Sequence, residues 1–136
     1  MNITQQTVCQ DIVNLLNNMK NAMGKIAEEK GITRIQLFAI YSVGSRGELP
    51  MGKMADVLHC DPSNVTGIVD RLVAQGVITR EEYPQDRRAK LLRLTDKGSE
   101  ILQAVMVSLP EEMGCDKLDE TELATLHTLL QKVHAV

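Results

Sequence analysis

A short basic segment in the second half of the chain could bind a polyanion. Residues 87–97 hold five cationic side chains against the single carboxylate of Asp96: Arg87, Arg88, Lys90, Arg93 and Lys97. Guanidinium and ammonium groups bind phosphate oxygens, and a protruding arginine can enter the electronegative minor groove of duplex DNA. The whole chain has a formal net charge of −3, but salt screens distant charges, so the local positive charge matters most to a nearby phosphate.

A second set of polar side chains lies upstream with helical spacing. Asp61 and Pro62 match an N-cap and a first-turn proline, and they predict a helix over residues 62–75. Its apolar and polar residues fall on opposite sides: Val65, Ile68, Val69, Leu72 and Val73 against Ser63, Asn64, Thr66, Gly67, Asp70 and Arg71. Short polar side chains in a first turn can approach base edges closely, since Asn pairs with adenine and Thr contacts a thymine methyl. An ordinary solvated amphipathic helix is the alternative interpretation.

The residues before this helix predict a helix-turn-helix. Pro50 is expected to open a short helix with its apolar residues on one side, and His59-Cys60 forms the tight turn that follows it. Two short helices joined by so brief a turn are typical of DNA-binding proteins.

Two further helices precede this unit. Apolar residues at steps of three and four predict a long amphipathic helix from about Val8 to Glu29. Thr33 and Gln36 form a capping box at the start of a second helix, which is strongly apolar and therefore expected to be buried. Gly44 and Gly47 are expected to close it.

The basic segment itself is predicted to lie on a β-hairpin. The runs at 77–83 and 89–94 are short and β-branched or alternating, and residues 84–88 between them form a charged tip with the two adjacent arginines. The strands add two cations: Lys90 and Arg93. Asp86 is expected to pair with the Arg88 guanidinium and hold it in a fixed orientation. The alternative is that charged residues at a tip merely keep the hairpin soluble.

The chain ends in two more amphipathic helices. One begins at residues 95–98 and carries apolar side chains up to Pro110, and the last begins at a capping box of Asp119 and Glu122. A lone chain of 136 residues has difficulty covering the apolar faces of its terminal helices, so a two-fold partner is expected. The predicted fold class is mainly α with a small β-hairpin wing: a winged helix-turn-helix whose terminal helices form a dimerisation region.

Several of these residues together resemble the MarR family of bacterial regulators. The resemblance rests on Asp86-Arg87-Arg88, on Leu94-Thr95-Asp96-Lys97-Gly98, and on Gly76-Val77-Ile78-Thr79-Arg80 before them. It implies one MarR-like domain over 1–136, with a winged helix-turn-helix core at 30–98 and dimerisation helices at 1–29 and 99–136. It also implies that Arg88 enters the minor groove and that the 62–75 helix lies in the major groove.

The function that the resemblance implies is sequence-specific regulation of transcription. A homodimer is expected to bind double-stranded DNA at a pseudo-palindromic operator, as a repressor released by a small-molecule effector or an oxidant, although activation stays open. The expected DNA-binding residues are Ser63, Asn64, Thr66, Gly67, Arg71, Arg87, Arg88 and Lys90. The alternative is a winged-helix module that binds protein partners and not DNA.

The cysteines suggest a sensor but no metal or disulfide. Cys9, Cys60 and Cys115 form neither an even set nor a C-x-x-C pair. Cys9 lies where the peroxide-sensing branch of the resembled family holds its reactive thiol, so it is a candidate redox sensor. The first helix has no tyrosine, and no positive charge lies within one turn of Cys9, so a small semi-buried hydrophobe is the alternative. His59, Cys60 and Asp61 are adjacent, and three neighbours rarely converge on one metal ion.

Other classes of protein are disfavoured. The sequence has no recognisable pairing of a nucleophile with a base and no phosphate-binding glycine loop, so no enzyme activity and no cofactor are expected. No run of 18 apolar residues and no secretory signal pattern occur, which predicts a cytoplasmic protein without a membrane partner.

Overall fold

The computed structural model describes residues 2–134, and the side chain of Arg87 is outside that description. Within this range the chain forms six α-helices, three strands and a short 3₁₀ turn. In chain order they are α1 (Gln5–Glu29), α2 (Arg34–Arg46), β1 (Leu49–Pro50), α3 (Met51–Leu58), α4 (Pro62–Ala74), β2 (Ile78–Tyr83), β3 (Asp86–Leu94), α5 (Asp96–Met113), the 3₁₀ turn (Cys115–Lys117) and α6 (Glu120–His134). The predicted fold class, mainly α with a small β wing, is confirmed.

Local hydrogen bonds explain where the first helices begin. The Thr4 hydroxyl accepts the Thr7 amide at 3.1 Å, so α1 begins before the predicted Val8. The capping box of α2 is confirmed, because the Gln36 amide donates to Thr33 Oγ1 at 3.2 Å and the Thr33 amide donates to Gln36 Oε1 at 3.1 Å. These bonds satisfy amides that have no partner inside the helix.

The two glycines of α2 have different roles. Gly47 follows the last helical residue at φ 78°, a left-handed conformation that glycine adopts without steric cost. The expectation that Gly44 also closes the helix is wrong. A Cβ at Gly44 would overlap the side chains of Leu102 and Leu94, so this glycine instead allows α5 to approach α2 closely.

The sheet has three antiparallel strands in the order β1-β3-β2. Ile78 pairs with Leu94 at one end of the hairpin and Tyr83 pairs with Asp86 at the other, with an irregularity after Glu82. The turn is therefore Pro84-Gln85, and the expectation that Arg87 and Arg88 lie in a loop is wrong: both belong to β3. Exposed polar residues in a strand show no alternation that would reveal it.

The chain divides into two compact units. Residues 23–105 contain an aliphatic core contributed by α2, α3, α4, all three strands and the residue before β2: Ala39, Ile40, Val43, Leu49, Met54, Val65, Val69, Leu72, Val77, Ile78 and Leu92. Full burial of a side chain such as Leu72 stabilises the fold by roughly 1.5–3 kcal/mol. Since Val65, Val69 and Leu72 all lie in this core, the rotation of α4 about its axis is fixed.

Among the described residues, the other unit comprises 2–22 and 106–134. Here α5 continues through Pro110 to Met113, although the sequence placed the end of this helix before the proline. A proline inside a helix loses one backbone hydrogen bond and crowds the carbonyl of the preceding turn, and α5 accommodates both effects near its end. The capping box of α6 is confirmed, because Glu122 N donates to Asp119 Oδ1 at 2.8 Å and Asp119 N donates to Glu122 Oε2 at 3.0 Å. No helix among the described residues is both long and apolar enough to cross a bilayer.

Candidate nucleic-acid interface

The turn between α3 and α4 aims the start of α4 outward. His59 ends α3 in the left-handed region at φ 52°, and Cys60 N donates to Ala55 O at 3.1 Å. Asp61 has the extended conformation of an N-cap, as predicted, but its side chain makes no capping bond. Instead the Asn64 amide donates to the Asp61 carbonyl at 2.9 Å.

The predicted contact face of α4 is exposed as a whole. Val65, Val69 and Leu72 are buried, and the residues on the opposite side are all exposed: Ser63, Asn64, Thr66, Gly67, Asp70 and Arg71. Val73 was assigned to the inner side, but it is 37% exposed, because it lies at the margin of the buried stripe near the end of the helix. The five α4 residues predicted to contact DNA therefore share one accessible surface.

A shallow groove of about 410 Å³ runs beside this face. It combines apolar and polar lining residues: Ile35, Cys60, Ser63, Asn64, Gly67, Ile68 and Arg71. Apolar surface next to hydrogen-bonding groups is the combination that reads a base pair, since thymine presents a methyl group and the other edges present donors and acceptors.

The wing presents Arg88 in a fixed backbone conformation. The Arg88 amide donates to Asp86 Oδ1 at 2.9 Å, and the Arg88 side chain is exposed. The expected ion pair between Asp86 and the Arg88 guanidinium is not among the ion pairs of the described residues. Asp86 thus orients the backbone of Arg88 and leaves the guanidinium accessible. The Arg87 side chain lies outside the described residues, and its role stays a prediction.

The other cations of the wing have acidic neighbours. The Lys90 ammonium lies 3.9 Å from Glu82 Oε1 on the paired strand, an exposed ion pair of the kind worth at most about 1 kcal/mol. Arg93 is held more firmly, because its Nη2 donates to Glu48 Oε2 at 2.6 Å and its Nε lies 3.5 Å from Glu81 Oε2. Arg93 therefore adds less free positive charge to the basic segment than the sequence suggested.

A further ion pair joins α4 to the wing. Asp70, on the exposed face of α4, accepts a hydrogen bond from the Arg80 guanidinium on β2. The Nε of Arg80 is buried with no hydrogen-bond partner in the structure, so the guanidinium depends on this carboxylate. The pairing neutralises a negative charge next to Arg71. Sequence spacing gives no signal for it, since its two members belong to different elements.

All three cysteines are free thiols. Cys9 is exposed on α1 of the single chain beside Gln5, Gln6, Gln10 and Val13, so within one chain the interpretation of Cys9 as a semi-buried hydrophobe is wrong. Cys60 and Cys115 are half-buried. In the part of the chain that the structure describes, no group of three or more His, Cys, Asp or Glu side chains is arranged to hold a metal ion.

A helix-turn-helix followed by a charged β-hairpin defines the winged-helix class of DNA-binding proteins. The model of the MarR family matches residues 32–90. The multiple antibiotic resistance protein MarR of Salmonella typhimurium is 30% identical over 105 residues, 75% of this chain and 73% of the relative. The organic hydroperoxide resistance transcriptional regulator of Bacillus subtilis is 29% identical over 114 residues, 80% and 77% of the two chains.

Comparison with solved structures also finds members of the MarR family. The apo form of wild-type MarR from Escherichia coli superposes with a TM-score of 0.74 at 25% identity and covers 98% of both chains. A cysteine-to-serine variant of that protein complexed with operator DNA superposes with a TM-score of 0.66 at 26% identity, over 91% of both chains. This chain belongs to the MarR family and is a DNA-binding transcriptional regulator. The alternative of a protein-interaction module without DNA binding is not favoured.

Proposed function

We propose that the chain is a transcriptional repressor that binds a pseudo-palindromic operator as a homodimer. The observation that carries the proposal is the presence of two accessible surfaces in residues 23–105: the polar face of α4 and the exposed side chain of Arg88 on β3. A helix in the major groove and an arginine in the minor groove together read more of an operator than either alone.

On α4, we assign base reading to the first turn and phosphate binding to the later residues. Ser63 and Asn64 are exposed beside the groove, where Asn64 can form a bidentate contact with adenine. Thr66 offers a methyl and a hydroxyl. A Cβ added at Gly67 would have no neighbour within 4 Å, so the helix backbone can approach the duplex closely there, and Arg71 binds phosphate.

On the wing, we assign Arg88 to the minor groove, with Asp86 as the residue that fixes its backbone. The Arg87 backbone is in the same strand, and its side chain is proposed to bind the adjacent DNA backbone. Lys90 is exposed enough to exchange its 3.9 Å contact with Glu82 for a phosphate, because an exposed ion pair of this length is weak.

The homodimer is proposed from apolar side chains that are exposed in the unit of residues 2–22 and 106–134. These side chains are 37–71% exposed: Ile3, Val8, Ile12, Val13, Leu15 and Leu16, then Met106 and Val107, then Leu123, Leu126, Leu129, Leu130 and Val133. So many large apolar side chains exposed to water in one unit are typical of an interface. A second copy of the chain provides a matching surface by two-fold symmetry. Two recognition helices then bind half-sites about 10 base pairs apart.

Repression follows if the operator overlaps a promoter, since the bound dimer blocks polymerase. We propose that a small-molecule effector or an oxidant releases the DNA, and that the exposed thiol of Cys9 is the candidate oxidant sensor. We also infer that the chain is cytoplasmic, where its DNA target lies, and that it is not an enzyme, because the relatives it matches are transcriptional regulators.

Selection of bound fragments from the genome of the source organism tests this proposal. Purified protein is mixed with sheared genomic DNA in about 0.15 M salt, and bound fragments are sequenced. The expected result is enrichment of a small set of promoter-proximal fragments that share an imperfect inverted repeat. Uniform recovery of fragments, with no shared repeat, would contradict the proposed function.

A further inference from the structure

Residues at the start of α5 donate hydrogen bonds to three successive backbone carbonyls after α4, those of residues 75–77. Lys97 Nζ donates to Gln75 O at 2.9 Å, and the Thr95 hydroxyl donates to Gly76 O at 2.5 Å. The Thr95 amide donates to Val77 O at 3.1 Å. The carbonyls belong to the junction that ends the recognition helix α4 and begins β2 of the wing. We call this junction, residues 75–77, the helix–wing junction.

The Thr95 hydroxyl both donates and accepts a hydrogen bond. Besides donating to Gly76 O, the oxygen accepts the Gly98 amide at 3.1 Å, so it caps α5 and binds the helix–wing junction at once. Among the uncharged aliphatic side chains, only Ser and Thr can donate and accept through a single atom. Valine has nearly the same shape as threonine but loses both bonds.

Gly98 brings α5 against the same junction. It is buried, and a Cβ added there would overlap the carbonyl oxygen of Val77. Backbone cannot yield in the way that a flexible side chain can. The junction is therefore held by hydrogen bonds to three carbonyls and by a backbone contact that leaves no space for a methyl group.

We propose that Thr95, Lys97 and Gly98 are positioning residues for DNA recognition. The helix–wing junction sets the angle between α4 and the hairpin, so its bonds to α5 keep both surfaces in the one geometry that reaches two grooves simultaneously. Without them the angle between α4 and the wing is less tightly fixed, although the Asp70–Arg80 ion pair and the shared core remain, and the cost of ordering the two surfaces on DNA lowers the specific affinity. This inference rests on the proposed roles of α4 and the wing.

The test compares Thr95→Val with Thr95→Ser, which keeps both hydroxyl bonds. Thr33→Val is the matched control, because Thr33 caps α2 with the same hydroxyl-to-amide bond and has no bond to the helix–wing junction. Each protein is titrated with a duplex selected from a random pool by the wild type and with an unrelated duplex of equal length. Circular dichroism fixes a temperature at which every variant is fully folded.

We expect Thr95→Val to lose about tenfold in affinity for the selected duplex, the size of one lost base contact, while its affinity for the unrelated duplex stays within about twofold. Thr95→Ser and Thr33→Val should keep the wild-type ratio of the two affinities, although Thr33→Val lowers the melting temperature. A role in stability alone would not change that ratio in a folded protein.

An unchanged ratio in Thr95→Val, or an equal loss in Thr33→Val, would overturn the inference. If Thr95→Val does not fold, Lys97→Met tests the inference in its place. Lys97 is exposed, and the substitution removes its bond to the Gln75 carbonyl. We expect the ratio of the two affinities to fall about threefold in that variant, whereas loss of a phosphate contact alone would lower both affinities alike; an unchanged ratio would overturn the inference. A wild type that selects no duplex would contradict the proposed function itself. A wild type that selects a duplex, with a Thr95→Val variant that keeps the wild-type ratio, would contradict only this inference.

Discussion

Asp70 on α4 and Arg80 on β2 form an ion pair that joins the recognition helix to the wing. The Arg80 side chain is 28% exposed, against 56% for Asp70, so the guanidinium is the more costly group to leave without a partner. The pair also neutralises a negative charge on the surface of α4 that is proposed to face DNA.

Replacement of Asp70 by Ala should lower the free energy of unfolding by roughly 1–2 kcal/mol, because a partly buried guanidinium loses its carboxylate. Urea unfolding followed by circular dichroism measures the change. Asp56→Ala is the control, since Asp56 is an exposed carboxylate on α3 and its loss should change stability by no more than about 0.5 kcal/mol. Equal effects of the two substitutions would show that the ion pair does not stabilise the fold.

Replacement of Asn64 by Ala should change which sequences are bound more than it changes total affinity, because Asn64 is proposed to read a base edge. Site selection from a random pool, performed with both proteins, compares their preferences. Asn17→Ala provides the control, as Asn17 is exposed on α1. The role assigned to Asn64 fails if the variant selects the same sites as the wild type.

The parts predicted well from sequence are those set by local periodicity and capping. The buried stripe of α4 and the capping boxes at Thr33 and Asp119 follow from helical spacing and from side-chain bonds three residues apart. Strand ends were predicted poorly. β1 has two residues, too few for an alternating pattern, and the exposed start of β3 at Asp86 has the composition of a turn.

Tertiary ion pairs were beyond sequence reasoning. Arg93 and Glu48 are separated by 45 residues, and they meet only because β1 pairs with β3. Glu81 and Arg93 are diagonal neighbours across β2 and β3, a relation that the strand register reveals once it is known. Composition alone therefore overestimated the free positive charge of the wing.

Replacement of Leu130 by Asp should convert a dimer into monomers, because it places a charge in the apolar face of α6 that is proposed to cover a second copy. Sedimentation velocity at micromolar protein gives the oligomeric state. Lys132→Asp introduces the same residue two positions along α6, outside the apolar set, and should leave the dimer intact. A wild-type protein that sediments as a monomer would contradict the proposed homodimer.

Replacement of Cys9 by Ser should abolish release of DNA by organic peroxide if the exposed Cys9 thiol is the sensor, since thiolates are the groups that such oxidants attack. A gel-shift assay of both proteins, before and after peroxide, measures the release. Cys115→Ser serves as the control for the other thiols. Equal release of DNA from wild type and Cys9→Ser would show that Cys9 is not the oxidant sensor.

The most direct test of the proposed DNA interface compares Arg88→Ala with Arg93→Ala on the same strand. Affinity for the selected duplex is measured over a range of salt concentrations, and melting temperatures are measured in parallel. Arg88→Ala should weaken binding at least several-fold and reduce the salt slope by about 1 at an unchanged melting temperature. Arg93→Ala should mainly lower the melting temperature, because Glu48 and Glu81 already hold that guanidinium. Wild-type affinity and an unchanged salt slope in Arg88→Ala would contradict the proposed role of the wing.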